Sequence, residues 1–417
     1  MQFLRIGFFF LAVFLVAQIS FAAVTFRQTV DDPELTSTAA FGSAVAIDES
    51  YVLVGAMEDT TKGNRIGRAY LFEYNSGGLL HTFDDPTPTD IDQFGVSVAI
   101  SGRNILIGAW GDDTNGRRVG QAHLYDRITG NLLRTFNDPT PTAADNFGGA
   151  VAIDGNKVLI GASGDDTNGS IGQAHLFDAA SGDLLHTFNN PNTRSFGNFG
   201  NAVAIDGDNV LIGSSLDSTL GTAAGQAHLF DAISGDLQFT FNDPTPTFIG
   251  GAGGVFAASV DIGDDLIVIG APADSTNAIE AGQAHLFDTA GNLLHTFDDP
   301  QSNLRDNFGS SVAIDGTNVL IGARFDDADG FNVGQAHLFD AITGNLQNTL
   351  NEPSVSGGDR FGTSLAIDSD KIVIGSPSFS STNASVSQVH LFELLIPEPS
   401  SVVLMLLASV CLMRRMK

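Results

Sequence analysis

Paired aspartates recur in three loops of this 417-residue chain, and each pair is followed closely by Asn or Asp and by a glycine. The pairs are Asp112-Asp113, Asp165-Asp166 and Asp326-Asp327. Ca²⁺ takes about six to eight oxygen ligands, mainly carboxylates and carbonyls, so these six side chains are candidate calcium ligands. Their spacing lacks the alternation of a calcium-binding loop, and Asp, Asn, Thr and Gly are also common turn formers. Calcium is therefore the one cofactor that the sequence suggests.

A second group of candidates breaks the regularity of the chain. Trp and Arg are the residue types that most often anchor a bound partner, so a glycan or a protein ligand could bind where they meet. Isolated surface residues are the alternative interpretation. The candidates for ligand binding are Trp110, Arg117, Arg118, Arg194, Arg305 and Arg360.

Histidines recur in the pattern Gln-Ala-His-Leu, but each lies in a different copy of a repeat, so they cannot converge on one ion. We expect them to be half-buried and to contact the neighbouring copy, as we do for His81, His186 and His295. No Ser-His-Asp set, paired catalytic carboxylates or phosphate-binding loop stands out, so the sequence predicts no enzyme. The recurring set is His123, His175, His228, His285, His337 and His390, with Tyr70 in the first copy.

These residues sit on a repeat that returns seven times with a period of 52–57 residues, a spacing typical of solenoids, propellers and domain arrays. In the third copy, two apolar runs, Phe147 to Asp154 and Lys157 to Ala162, flank a Gly-Asn turn and predict a hairpin. Gln173 to Asp178 and Leu184 to Phe188 add two strands. Each copy begins at a phenylalanine: Phe41, Phe94, Phe147, Phe199, Phe256, Phe308 and Phe361.

Seven four-stranded copies predict an all-β fold, a seven-bladed β-propeller of antiparallel blades over residues 23–395. The last copy lacks a fourth strand, and Val24 to Val30 matches the missing pattern, so we expect the N-terminal strand to complete the last blade and close the ring. The connections from second to third strand and from fourth to first strand are the long, variable ones. Both emerge on one face, which we expect to bind ligands.

The formal net charge is −29 at pH 7. A body this acidic repels phosphate backbones and anionic lipid surfaces, so nucleic acid is not an expected partner. The only cysteine is Cys411, so the predicted propeller contains no disulfide.

The two ends of the chain differ from the repeats. Residues 1–22 combine a basic start, an apolar core and a small-residue cleavage pattern, which predicts a signal peptide cut after Ala22. Residues 396–417 combine Pro397-Glu398-Pro399, a short apolar run and a basic end with Arg414 and Arg415. Such a segment would hold the unprocessed protein in the membrane, with the basic end on the cytoplasmic side.

This tripartite C-terminus resembles the PEP-CTERM sorting signal of Gram-negative bacteria. The resemblance implies an exosortase-type sorting protease as a partner and an inner-membrane-tethered precursor. The mature protein would then be found at the cell surface or outside the cell. A plain C-terminal membrane anchor is the alternative.

The repeat itself, FGxAVAIDGxxVLIGA followed by GQAHLFD, resembles the FG-GAP repeat and, more distantly, the propeller of the integrin alpha subunit. The resemblance implies recognition or adhesion. Calcium-binding members carry a DxDxDG loop between the first and second strands, and the short turn at Asp154 to Lys157 leaves no room for one. A polysaccharide-acting hydrolase or lyase and a structural matrix or envelope protein are the alternative functions.

Overall fold

The computed structural model describes residues 23–34, 39–167, 172–192, 197–247, 253–353, 358–378 and 387–395. Within these ranges the secondary structure is entirely β. The first fifteen strands are β1 (Ala23–Asp31), β2 (Phe41–Asp48), β3 (Tyr51–Ala56), β4 (Arg68–Glu73), β5 (Leu79–Asp84), β6 (Ser97–Ser101), β7 (Asn104–Ala109), β8 (Gln121–Asp126), β9 (Leu132–Asn137), β10 (Phe147–Asp154), β11 (Lys157–Ala162), β12 (Gln173–Asp178), β13 (Leu184–Asn189), β14 (Phe199–Asp206) and β15 (Asn209–Ser214). The remaining strands are β16 (Gln226–Asp231), β17 (Leu237–Asn242), β18 (Ser259–Gly263), β19 (Leu266–Ala271), β20 (Gln283–Asp288), β21 (Leu293–Asp298), β22 (Phe308–Asp315), β23 (Asn318–Ala323), β24 (Gln335–Asp340), β25 (Leu346–Asn351), β26 (Ser364–Asp368), β27 (Lys371–Ser376) and β28 (Gln388–Leu395).

The described strands form seven four-stranded antiparallel sheets, which are the blades of a propeller. Blades 1 to 6 are consecutive meanders, β2–β5, β6–β9, β10–β13, β14–β17, β18–β21 and β22–β25. The first strand of every blade lines a central channel, so these strands are the inner ones and the fourth strands are the outer ones. The predicted fold class is confirmed.

The seventh blade joins both ends of the described chain, in the order β1-β28-β27-β26. The Thr29 hydroxyl hydrogen-bonds with His390 Nδ1 at 3.0 Å, and the Phe26 ring meets Phe392 edge-on with centroids 5.6 Å apart. The N-terminal strand therefore completes the last blade. This confirms the prediction made from the lack of a fourth strand in the last copy of the repeat.

The long loops share one face because of the strand register. In blade 3, Phe147 pairs with Ala162, Ala162 with Gln173, and Gln173 with Asn189. The starts of the first and third strands and the ends of the second and fourth strands thus lie in one row. We call this side the long-loop face and the opposite side the short-turn face.

The short-turn face carries a ring of contacts that we call the acid clasps. In each, a side-chain oxygen of an inner strand accepts a hydrogen bond from a backbone N–H of the next blade, at 2.5–3.0 Å. The acceptor is the last residue of its strand in every blade but blade 5, where Asp261 lies in the middle of β18, and it is an aspartate in every blade but blade 2, where it is Ser101. The clasps run in one direction around the ring, and the last one closes it from blade 7 to blade 1. They join Asp48 to Gly102, Ser101 to Gly155, Asp154 to Gly207, Asp206 to Asp264, Asp261 to Ile314, Asp315 to Ser369 and Asp368 to Glu49.

Aromatic side chains fill the space between blades. Phe147 is fully buried and meets Phe177 of its own blade edge-on, with centroids 6.2 Å apart. Phe136 from the outer strand of blade 2 packs on the same Phe177 ring at 5.1 Å. The cluster that contains these rings draws side chains from both blades, so the recurring phenylalanines form the inter-blade core.

Close packing of blades explains the glycine of the Ile-Gly-Ala runs. A Cβ on Gly161 would lie 2.0 Å from the carbonyl oxygen of Gly200 in the next blade. Only a residue without a side chain lets the two backbones approach so closely.

The predicted signal peptide and the predicted sorting signal, including Ala22, Pro397, Glu398, Pro399, Arg414 and Arg415, lie outside the described residues. A search of the described part of the chain for a helix able to cross a bilayer finds none.

Candidate functional site

The long-loop face contains a cleft of about 540 Å³ where the loops of blades 1 and 2 meet. We call it the Trp110 cleft. Trp110 follows β7, and Arg117 and Arg118 lie in the same loop. The cleft is lined by Arg65, Asp90, Ile91, Gln93, Trp110, Gly111, Asp113, Arg117 and Arg118. Three of the six predicted ligand-binding residues therefore come together here.

Three arginines line the cleft, together with Asp90 and Asp113. The Arg118 guanidinium lies over the Trp110 ring, 4.4 Å from its centroid. Arg65 forms an ion pair with Glu58. Among the described residues, Arg117 and Arg118 form no ion pair, and both are exposed. Their guanidinium groups are therefore available to an anionic ligand.

Backbone geometry fixes where these side chains emerge. Arg65 and Arg118 occupy equivalent positions of their loops, and both have left-handed backbones, with φ of 51° and 53°. Ile91 is left-handed too, with φ of 70°. The loops thus hold a shared shape while the residue types at these positions differ from blade to blade, as expected of a rigid scaffold that presents variable side chains.

The other predicted ligand-binding residues lie elsewhere. Arg305 is exposed, and its Nε lies 3.4 Å from Glu280 Oε2. Arg360 lies over the Phe325 ring at 5.2 Å, and Arg324 lies over the same ring at 4.9 Å. Arg194 is outside the described residues. The prediction missed Arg65 because it belongs to the preceding copy of the repeat and joins Trp110 only when the blades pack.

The two members of each aspartate pair point to different surroundings. Asp112, Asp165 and Asp326 are fully buried, whereas Asp113, Asp166 and Asp327 are exposed. The buried members accept a hydrogen bond from the backbone N–H two residues later, at 2.7–2.8 Å. Each pair therefore shapes its loop and does not present two adjacent carboxylates to one ion, and calcium binding by the pairs stays a prediction.

The recurring histidines are more buried than predicted. All six are fully buried, so the expectation of half-burial was wrong. Each Nδ1 hydrogen-bonds with a threonine hydroxyl on the outer strand of the same blade, at 3.0–3.1 Å. The contact with the neighbouring copy is made from the other ring nitrogen, since His285 Nε2 lies 3.8 Å from Asp243 Oδ1 of blade 4.

The histidines of the outer strands do bridge neighbouring blades. The Nε2 atoms of His81, His186 and His295 hydrogen-bond with the carbonyl oxygens of Ile128, Ile233 and Ile342, at 3.1–3.2 Å.

Buried acids accumulate where the recurring histidine of one blade faces the preceding blade. Three groups place one ligand atom from each member within 4.8 Å of one another. Burial raises the pKa of Asp85 to about 7 and of Asp138 and Asp326 to about 6, and neighbouring aspartates add to each increase. Burial lowers the pKa of His175 and His337 to about 4, so both are neutral at pH 7. The groups are Asp85–Asp92–Asp112, Asp138–Asp165–His175 and Asp299–Asp326–His337.

Sequence reasoning missed the acid that follows each outer strand. The position directly after the outer strand was treated as part of a variable loop. An acid or Asn occupies this position in every copy, and each of these side chains is buried. This recurrence was the available signal. The residues are Asp32, Asp85, Asp138, Asn190, Asp243, Asp299 and Glu352.

A family model described as FG-GAP repeat matches six segments that together cover more than half of the chain: 32–72, 88–125, 140–177, 191–230, 250–287 and 299–339. No protein with a curated description matches the chain.

Proposed function

Because the chain belongs to the FG-GAP repeat family, we propose that it is a non-catalytic recognition or adhesion propeller that binds an acidic glycan in the Trp110 cleft. The observation that carries the proposal is the grouping of Arg65, Arg117 and Arg118 around Trp110 on the long-loop face. The family and the fold are compatible with recognition.

The chemistry of the cleft suits a carboxylate-bearing sugar. Guanidinium groups bind carboxylates through paired hydrogen bonds and stack on aromatic faces. The Arg118–Trp110 pair offers such a stack, and Arg117 offers a free cation beside it. Since the chain carries a formal charge of −29, long-range repulsion disfavours anions elsewhere and makes this cleft the favourable place for one.

A non-catalytic role is supported by where the unusual acids lie. The carboxyl groups whose pKa is raised to about 6 or 7, such as Asp85 and Asp138, are buried between blades. A general acid must reach its substrate within hydrogen-bonding distance. In the cleft, Asp113 is already engaged, because its Oδ1 accepts a hydrogen bond from the Arg118 backbone N–H at 2.6 Å.

We further propose that the protein is exported, on the strength of the terminal sequences alone. Residues 1–22 would be removed after Ala22, and residues 396–417 would act as a PEP-CTERM-like signal cut by an exosortase-type protease. The precursor would be tethered to the inner membrane of a Gram-negative bacterium, and the product would reach the cell surface or the exterior. The distant likeness to the integrin alpha-subunit propeller belongs to the same proposal.

A glycan-array screen tests the function. We expect the wild-type protein to bind uronic-acid-containing glycans, and the triple variant W110A/R117A/R118A to bind at least 100-fold more weakly, since each charged hydrogen bond contributes about 1.5–3 kcal/mol. Arg305→Ala is the matched control, because Arg305 is an exposed arginine on the same face but outside the cleft. It should bind like the wild type.

Other results would support the alternatives. Cleavage of a bound polysaccharide would favour the hydrolase or lyase, and binding to acidic peptides alone would change the ligand class. Equal binding by the triple variant and the wild type would refute the assignment of the cleft. Absence of any binding would favour a structural matrix or envelope role.

A further inference from the structure

Blades 5 and 6 meet at a cluster of buried donor atoms below the long-loop face. Asp299 follows the outer strand β21 of blade 5, while Asp326 and His337 belong to the loop after β23 and to strand β24 of blade 6. One ligand atom from each lies within 4.8 Å of the other two. All three side chains are buried, with at most 4% of their surface exposed.

The cluster is rich in buried atoms without a hydrogen-bond partner among the described residues. Asp299 Oδ2, Asp326 Oδ2 and His337 Nε2 all lack one. Leaving a buried polar atom unsatisfied costs about 1–3 kcal/mol. Several such atoms in one place indicate a ligand with positive charge.

The histidine has one ring nitrogen that is free to bind an ion. His337 Nδ1 hydrogen-bonds with the Thr349 hydroxyl at 3.1 Å, which fixes the ring and leaves Nε2 for the cluster. Histidines that bind metals commonly use their second ring nitrogen in this way.

We propose that Asp299, Asp326 and His337 bind one divalent first-row transition ion, such as Zn²⁺ or Mn²⁺, between blades 5 and 6. A neutral imidazole nitrogen together with carboxylate oxygens suits these ions better than Ca²⁺ or Mg²⁺, which prefer oxygen alone. Donors bind such ions at about 2.0–2.2 Å, so three donors within 4.8 Å of one another need little movement.

Asp138, Asp165 and His175 form a second site of the same kind between blades 2 and 3. His175 Nδ1 hydrogen-bonds with Thr187 at 3.1 Å, and Asp138 Oδ2 and His175 Nε2 lack partners among the described residues. Here the Thr140 hydroxyl donates to Asp165 Oδ2 at 3.2 Å, so fewer donor atoms are free than in the first cluster. The first site should therefore bind more tightly.

Three other blades place different groups at the same position. Glu352 reaches His390 directly, with Oε1 2.7 Å from Nε2. The Tyr70 hydroxyl donates to Asp59 at 3.1 Å. Next to blade 4, the neutral Asn190 takes the place of this carboxylate, and its amide donates to Ser214 at 3.2 Å, while His228 Nε2 lacks a partner among the described residues. These positions are not part of the proposed sites and provide internal controls.

Metal analysis of refolded protein tests the proposal. The full chain is unfolded in urea with a chelator, refolded with Zn²⁺, Mn²⁺, Ca²⁺ or Mg²⁺, desalted and assayed by mass spectrometry for bound metal. We expect the wild type to retain Zn²⁺ or Mn²⁺, and His337→Gln to retain one equivalent less. His228→Gln, which removes an equally buried histidine with the same threonine contact, should match the wild type.

Circular dichroism and gel filtration establish that each variant folds. If His337→Gln does not, Asp299→Asn replaces it, with the same expected loss of one equivalent. Equal metal content in the wild type and the folded variant would refute the site, as would retention of no Zn²⁺ or Mn²⁺. Retention of Ca²⁺ in preference to both would refute the assignment to a transition ion.

Discussion

Asp261 shows how one residue can depart from the repeat and still serve it. It occupies the inner-strand position at which the other six copies have alanine, and it lines the central channel. Its carboxylate accepts hydrogen bonds from the backbone N–H groups of Ile262 at 2.9 Å and of Ile314 at 2.8 Å. The second of these is the acid clasp between blades 5 and 6.

The pKa of Asp261 leads to a prediction about pH. Burial raises the pKa of Asp261 from 3.8 to about 7. Between these two pH values, the folded protein holds a proton on Asp261 that the unfolded chain has released. The contribution of Asp261 to the free energy of unfolding is therefore largest below pH 4 and is lost as the pH rises to 7. Asp261→Asn removes this dependence. In urea unfolding, the stability of the variant relative to the wild type should increase from pH 4.5 to pH 8, and parallel pH curves would contradict the assignment.

At the residue scale, the sequence identified some of the site and missed the rest for a physical reason. Trp110, Arg117 and Arg118 were predictable because they break the repeat within a single loop. Asp138 and His175 were not paired, because they belong to different copies and meet only when blade 2 packs on blade 3. Contacts between residues of different copies cannot be predicted when each copy of the repeat is considered alone.

At the scale of elements, the blades depend on backbone contacts that side chains would block. Gly161 pairs with Ala174 in its sheet, and its Cα faces the Gly200 carbonyl of the next blade. The strand bounds were predictable because apolar runs and two-residue turns recur in every copy. The exact approach of neighbouring sheets was not, because it depends on how the blades pack.

Two alanine substitutions separate packing from backbone strain. Gly161→Ala would place a Cβ 2.0 Å from a backbone oxygen, so we expect a loss of about 3 kcal/mol or more in the free energy of unfolding. Gly155→Ala has no heavy atom within 4 Å of the added Cβ and must only accommodate a φ of 54°. It should cost about 1 kcal/mol. Urea unfolding measures both, and equal losses would show that blade contact does not determine the cost.

At the scale of the whole molecule, the ring is held at the short-turn face and by the core between the blades. The acid clasps connect every blade to the next on the short-turn face, and phenylalanine clusters fill the space between blades. Closure depends on β1, which supplies the outer strand of blade 7.

Removing β1 tests closure directly. Deletion of residues 23–31 removes the Thr29–His390 hydrogen bond and the Phe26–Phe392 contact, and it exposes the edge of β28. We expect a lower midpoint of thermal unfolding and aggregation through that edge. A synthetic peptide of residues 23–31 added in trans should restore the midpoint, whereas a peptide with the same composition in scrambled order should not. Unchanged stability of the deletion variant would contradict a role for β1 in closure.

The contact between Thr29 and His390 spans 361 positions of the chain. During translation, β1 is made before the other described strands, and its partner β28 is the last of them. A nascent or prematurely terminated chain can build its complete meanders but always carries one orphan strand and one open blade. The ring can therefore close only after β28 has been translated. A chain that ends earlier exposes an unpaired strand edge, which chaperones and proteases can recognise.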